Sequence, residues 1–347
     1  MLIFIRSKLC SVTFVVMLII LISIIQTGCL VLDKYFVYFP NHELPMTPSD
    51  VGLNYEDVYL TSADGIELHG WFLPGESEIA LVWFHGNAGN IGDRLDYIKL
   101  MHTYVGASIF IFDYRGYGLS QGSPSESGLY LDAEAAVDFL IDRVGSEEGT
   151  QNVFFFGRSL GSAVALKMAS IYDVGGVIIE APFTSTVALA KIHYPYLPEF
   201  LVNLLIRDRY ASGSVAGSLG SPLMVIHGTN DSIVPIEMGE KIYDLANVNK
   251  SFYAVEGADH NDTHIIGGEN YFRKIQVAEF NLETQQLKEG DNILITGRTT
   301  GIIETVAGEI RLNDKQVKSV KKGDNFSMKL DHTVRPSDKL YKIVNSK

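Results

Sequence analysis

Six short, mainly apolar stretches set the terms for this chain: "IALVWF" at 79–84, "SIFIFD" at 108–113, "NVFFF" at 152–156, "VGGVIIE" at 174–180, "PLMVIHG" at 222–228 and "KSFYAVEG" at 250–257. A strand with one wet face alternates apolar and polar side chains. Continuous apolar runs need cover on both faces, as in the middle of a parallel sheet. The segments between them carry a helical period. "SESGLYLDAEAAVDFLIDRV", from Ser125, opens on a Ser-Glu capping signal and sets Leu129, Ala133, Ala136, Val137 and Leu140 on one face. Repeated strand and helix with right-handed crossovers predict an α/β fold on a doubly wound, mostly parallel sheet. Upstream, "YEDVYLTSADGIELHGWFLP" predicts two strands that turn at Asp64-Gly65. Residues 183–221, with Pro195 and Pro198, interrupt the alternation and predict a short helical cap over the carboxyl ends of the strands, where such sheets bind ligands.

The N-terminus belongs to no such pattern. Arg6 and Lys8 precede an uncharged, almost wholly apolar run at 9–25, the layout of a secretory signal or a membrane anchor. "QTGC" at 26–29 resembles the bacterial lipoprotein cleavage box, in which small residues precede a cysteine that is acylated and becomes the mature N-terminus; Gln26 stands where that box has an aliphatic residue. The expectation is a signal peptide at 1–28, lipid on Cys29 and a tether at 29–50. An uncleaved transmembrane helix is the other reading of the same run. In both, the body sits in the bacterial cell envelope, tethered to a membrane and facing the periplasm or the exterior. Cys10 and Cys29 are the two cysteines of the chain, so the globular part has no thiol for a disulfide or a cysteine-bound metal.

Charge narrows the partners. With 28 Lys+Arg against 41 Asp+Glu the net charge is -13, which disfavours general binding to nucleic acid and to anionic lipid. The surplus is uneven. Residues 285–347 hold 12 basic and 8 acidic side chains, the rest 16 and 33, and this shift marks two modules.

"GRSLG" at 157–161 fits G-x-S-x-G between a strand and an alanine-rich helix. A tight strand-to-helix turn holds the central serine in a strained backbone state, and side chains on the flanking glycines would collide with neighbouring strands. Ser159 is then a nucleophile, the alternative being a serine that merely caps the helix. A serine hydroxyl needs a base and an acid that orients the base, in the chain order Ser, Asp, His. Asp231 follows the strand in "VIHGTNDSIVP", and His260 follows the next one in "VEGADHNDTH"; His264 and Asp262 lie close enough to compete. The tetrahedral oxyanion needs two N–H donors, worth about 3 kcal/mol each. Leu160 at the helix start supplies one, and the loop "WFHGNAGN" the other, at Asn87. His85 lies outside the chain order and reads as structural.

Those motifs together resemble the α/β-hydrolase superfamily, in particular its small-lid serine hydrolases of the serine aminopeptidase and esterase branch, which show "HGNAGN", "DYRGYGLSQGSPSESGLYLDAEAA", "GRSLGSAVA", "IHGTNDSIVP" and "GADHND" in this order. The resemblance implies an α/β-hydrolase domain at 51–283 with Ser159 as nucleophile, Asp231 as acid and His260 as base. It implies a serine hydrolase, carboxylesterase-like or lipase-like, thioesterase or peptidase, that acts on a small-molecule or lipid-like acyl substrate with no metal or diffusible cofactor. Ser162 stands where the family often has another glycine. The other class of function is a catalytically silent scaffold that binds partners.

From 285 to 347 the pattern changes to short alternating strands with turns at Glu289-Gly290-Asp291, Leu312-Asn313-Asp314 and Lys322-Gly323-Asp324, which predict a small β-barrel. With "TTG", "VKKGD" and "VRPSDKLY", this segment resembles the C-terminal barrel of collagenase-like peptidases and domain two of translation elongation factors. Such barrels bind rather than catalyse. An exported chain makes nucleic acid an unexpected partner, and the sequence names no other for the barrel.

Overall fold

The structure is a computed structural model that describes residues 37–343 apart from 78, 145–149, 277, 282–285, 298–300, 313–314, 322–323 and 331–338. The apolar run at 9–25 and Cys29 lie outside the described residues. No helix among the described residues is long and apolar enough to cross a membrane.

An eight-stranded sheet forms the centre. Its strands are β1 (Glu56–Thr61), β2 (Glu67–Leu73), β3 (Ala80–Phe84), β4 (Ser108–Phe112), β5 (Val153–Arg158), β6 (Gly176–Glu180), β7 (Leu223–Gly228) and β8 (Lys250–Val255), in spatial order β1-β2-β4-β3-β5-β6-β7-β8. β1, β2 and β4 pair antiparallel, and every pair from β4 to β8 is parallel. The hairpin of β1 and β2 turns at Gly65, whose φ of 85° is left-handed backbone that glycine adopts without strain. The fold is that of the α/β hydrolases.

Burial on two faces explains the continuous apolar runs. All five residues of β3 and of β6 are buried. Along β3 and β4, Val82, Phe84, Phe110 and Phe112 enter one core with α2 (Glu126–Val144) and α3 (Leu160–Ala169). Leu81, Trp83, Ile109 and Ile111 enter the other with α1 (Leu95–Val105) and, past β8, α8 (Thr263–Gln276), which Gly268 breaks with a non-helical φ of 52°. Each large side chain so buried contributes about 1.5–3 kcal/mol. Helix α3 is buried almost all round, so it packs as a core helix and needs no polar face.

The chain runs from β3 to β4 on one side, then returns to place β5 on the other side of β3. That reversal opens a crevice at the carboxyl ends of β3 and β5, where open α/β sheets bind ligands. The loop 85–90 follows β3 and Ser159 follows β5, so both border the crevice. Between β6 and β7 the segment predicted as a cap forms α4 (Thr186–His193), α5 (Glu199–Leu205) and α6 (Ser212–Val215), and α7 (Ile236–Leu245) follows β7.

The C-terminal part is a separate small β unit with its own core, built on Leu287, Ile293, Ile295, Ile310, Val320, Phe326 and Met328. Its first strand is β9 (Ala278–Asn281), which pairs antiparallel with the strand Asn325–Met328. The unit therefore begins before residue 285, where the change of composition places it. Four residues are too few to carry a period.

Candidate active site

Strand β5 ends in a forced turn. Ser159 has φ 52° and ψ -114°, an unusual backbone for a residue with a side chain. Its N–H donates to the Glu180 carbonyl at 2.8 Å, and Ser162 donates its hydroxyl and its N–H to the Ser159 carbonyl. The flanking glycines permit the turn. A Cβ on Gly161 would lie 1.9 Å from the Phe84 carbonyl oxygen, and one on Gly157 would lie 2.3 Å from the Gly161 carbonyl oxygen. Ser162, where the resemblance expects another glycine, is buried and fits the elbow. Ser159 does not cap α3 through its side chain. Its hydroxyl faces a histidine instead.

That histidine is His260. Its Nε2 stands 3.1 Å from Ser159 Oγ, and its Nδ1 stands 2.8 Å from Asp231 Oδ2. The carboxylate beside Nδ1 places the ring proton there, which leaves Nε2 to accept from the serine hydroxyl. The side chain of Asp231 is fully buried. Its Oδ1 accepts the N–H groups of Ile233 and Val234 at 2.9 and 2.7 Å, and its Oδ2 also lies 3.3 Å from Nε2 of the buried His227. Burial would raise the pKa of Asp231, but hydrogen bonds from His227 and His260 outweigh it and hold the carboxyl below the usual range. The acid is therefore ionised at neutral pH.

The two loops that carry Asp231 and His260 are tied together. Asp259 accepts the Ser232 N–H and hydroxyl and the His260 N–H, and Gly228 packs so close that a Cβ would lie 2.4 Å from the Ala258 carbonyl oxygen. Neither competing residue reaches the serine. His264 stacks on Tyr97 with the rings 3.9 Å apart, and Asp262 accepts the N–H of Asp259.

Behind the site lies a polar cluster that sequence patterns missed. Glu180, fully buried at the end of β6, accepts from Arg158 Nε at 3.0 Å, from Tyr271 at 2.7 Å, from Tyr97 at 2.6 Å and from Thr263. Arg158 also donates to the His260 carbonyl and to Asn261 Oδ1. Burial works to raise the pKa of Glu180, yet Arg158 and the three hydroxyls keep it lowered. The one available signal was a charged residue closing a wholly apolar strand.

The loop after β3 faces the serine from the other side. Gly86 lies against Ser159, 3.6 Å from an ideal Cβ to the Ser159 Cβ. Asn87 is held by its side chain, which accepts from Tyr117 and Phe39 N and donates to the Val37 carbonyl. Among the described residues, the N–H groups of Asn87 and Leu160 have no hydrogen-bond acceptor. His85 is buried, with Nδ1 2.8 Å from the Gly86 carbonyl oxygen and Nε2 3.7 Å from Asp113, and it does not reach the serine. Burial lowers its pKa to about 3 and raises that of Asp113 to about 8, so the pair is neutral at pH 7.

Part of the segment read as a tether is built into the site. Asn41 N donates to the Gly89 carbonyl and Gly89 N to the Phe39 carbonyl, while buried Tyr38 donates to Asp208 and meets Tyr210 in the cap region. Among the described residues, no group of three or more His, Cys, Asp or Glu side chains is placed to hold a metal ion.

The comparisons agree with this architecture. Residues 75–212 match the family model of the serine aminopeptidases, S33. An uncharacterized protein of Mycobacterium tuberculosis is 35% identical over 239 residues, covering 68% of this chain and 83% of its own. The α/β-hydrolase domain-containing protein WAV2 of Arabidopsis thaliana is 33% identical over 264 residues, covering 70% and 85%. Among solved structures, an esterase of Pyrococcus furiosus superposes with a TM-score of 0.57 at 22% identity, over 69% of this chain and 96% of its own, a likeness of fold. The chain belongs to the α/β-hydrolase superfamily.

Proposed function

We propose that the protein is a serine hydrolase held at a membrane by its N-terminus, cleaving an ester, thioester or amide through an acyl-enzyme. Ser159 Oγ attacks the carbonyl carbon as His260 Nε2 takes the hydroxyl proton. Asp231 holds the imidazole by Nδ1–H and stabilises the imidazolium. The oxyanion receives the free N–H groups of Leu160 and Asn87. His260 then returns the proton to the leaving alcohol, thiol or amine, and water releases the acyl group by the same route in reverse.

One observation carries the reading: an unbroken line from Ser159 Oγ to His260 at 3.1 Å and on to Asp231 at 2.8 Å, on a serine whose φ of 52° lifts it out of the turn. Membrane attachment rests on the sequence alone, with lipid on Cys29 as its chemical form. A fluorophosphonate reacts only with an activated serine, so it tests the reading without a known substrate. Wild-type protein should be labelled and Ser159→Ala should not. An unlabelled wild type, or a labelled variant, overturns the assignment. A panel of p-nitrophenyl esters of graded length then reads the acyl preference.

A further inference from the structure

The cap carries apolar surface that none of the described residues covers. Helix α4 is half-buried, with Ala188 and Leu189 packed against the core, but its end leaves Ile192 exposed, and in α5 only Val202 is buried. Tyr196 and Phe200 are 74% and 69% exposed, and Ile192, Tyr194 and Leu204 are exposed beside them in sequence. Single exposed hydrophobics need no explanation, but a run of this kind on one motif marks a docking surface. The run is held together. Lys191 pairs with Glu199 at 2.7 Å across the two helices, and the rings of Tyr194 and Tyr196 pack edge to face at 6.2 Å.

Two further observations say what covers it. The first is where the chain comes from. Tyr38 is bonded to Asp208 and Tyr210 just beyond α5, and Phe39 beside it is 53% exposed. Residues 26–36 separate that anchored point from the apolar run at 9–25, and eleven residues span at most about 40 Å. Lipid that holds the apolar run, or an acyl group on Cys29, is thus within reach of the cap side of the domain. The second is charge. Residues 183–221 carry three basic and two acidic side chains, within a stretch, 1–284, that carries 16 and 33. The cap is thus a net positive patch on an acidic stretch, which an anionic headgroup layer does not repel. Tyrosines beside aliphatic and phenyl side chains suit the boundary between headgroups and acyl chains.

We propose that the exposed face of α4 and α5, with Phe39, rests on the lipid bilayer that holds the N-terminus, and that the site takes its substrate, an acyl lipid, from that surface. The substrate half rests on the serine hydrolase reading; the docking half does not. The cap also touches the catalytic loops, because His193 Nε2 bonds the Ile233 carbonyl at 2.7 Å, two residues from Asp231. A cap seated on lipid therefore sits beside the crevice that admits the acyl chain.

The two native tryptophans, Trp71 and Trp83, are fully buried, so an added surface tryptophan can report its own surroundings. Full-length protein is reconstituted in phosphatidylcholine vesicles with and without bromine on the acyl chains. Phe200→Trp should lose at least half of its added fluorescence to the brominated lipid. Ile171→Trp, 51% exposed just past the end of α3 that points away from Ser159, should lose little. Equal quenching of the two, or none, overturns the docking. In the same vesicles, Tyr196→Ser combined with Phe200→Ser should lower the ratio of turnover on vesicle-borne oleoyl glycerol to turnover on p-nitrophenyl acetate at least tenfold. An unchanged ratio overturns the lipid-substrate half. Quenching at position 200 without turnover on either ester supports the docking and overturns the hydrolase reading instead.

Discussion

Replacing Gly161 by alanine adds one methyl group where two elements meet backbone to backbone. The new Cβ would lie 1.9 Å from the Phe84 carbonyl oxygen, 2.5 Å from its carbon and 2.6 Å from the His85 carbonyl oxygen. A tolerable contact is about 3 Å or more, so the start of α3 and the end of β3 must separate by about 1 Å. Neither can yield by turning a side chain. Overpacking of a core costs about 1–3 kcal/mol, and a clash confined to backbone belongs at the upper end, which lowers the melting temperature by about 6–12 °C in a domain of this size. The same movement separates Leu160 from the loop of Asn87, the two proposed oxyanion donors. A misplacement near 1 Å costs about a hundredfold in turnover. The assay is a thermal melt with kcat on p-nitrophenyl acetate, and Gly220→Ala is the control, because nothing lies within 4 Å of a Cβ there. If Gly161→Ala melted and turned over like Gly220→Ala, the close packing of α3 on β3 would not be what holds the elbow.

Ser159→Ala should lower kcat by about 10⁴ or more, and Asp231→Asn should cost less than His260→Ala, read by ester turnover. Asp113 is held protonated to about pH 8 by burial, while an unfolded chain releases that proton near pH 4; rising pH therefore draws the protein toward the unfolded state through this group. Asp113→Asn should remove up to about 1.4 kcal/mol per pH unit of that fall, so urea unfolding at pH 5 and pH 8 should show the variant gaining on wild type as pH rises. Parallel profiles would show that Asp113 is already ionised. A chain ending at Gln276, before β9, should still fold and hydrolyse p-nitrophenyl acetate, because the small β unit's core starts at Leu287 and the cores of the main sheet end by Ile275; loss of soluble protein would refute this. Metabolic labelling with a palmitate analogue should mark the wild type and not Cys29→Ala, and equal labelling would point to an uncleaved helix.

What the sequence made legible follows from how far each signal reaches. Five of the six parallel strands could be read because burial on both faces demands apolar residues at nearly every position, a local demand, whereas β8 lies at the edge of the sheet and buries only Val255. The convergence of Ser159, Asp231 and His260 could be read because they lie within five residues of the ends of β5, β7 and β8, and parallel strands end at one edge. The described part of the segment expected to be a tether from 29 to 50, residues 37–50, is bonded to the domain. Pro40, Pro45 and Pro48 give it no period, and its conformation comes from bonds to Gly89, Asp208 and Tyr210, which no local pattern encodes. Strand β9 was missed for a similar reason, since its partner lies over forty residues away.

Glu180 shows why the supporting cluster stayed hidden and what it does. Its partners Tyr97, Arg158, Thr263 and Tyr271 come from four places in the chain, each an ordinary residue in its own segment. Together they join the two ends of the proposed proton path. The Glu180 carbonyl accepts Ser159 N–H and its carboxylate holds Arg158, which in turn holds the His260 carbonyl. The distance from Ser159 to His260 is thus held by a buried ion pair as well as by the bonds within the loop that carries the histidine. Removing one member would leave the other charge buried without its partner, a cost of about 3–5 kcal/mol. That penalty lets an otherwise irregular loop, after β8, present its imidazole to a strained serine at hydrogen-bonding distance.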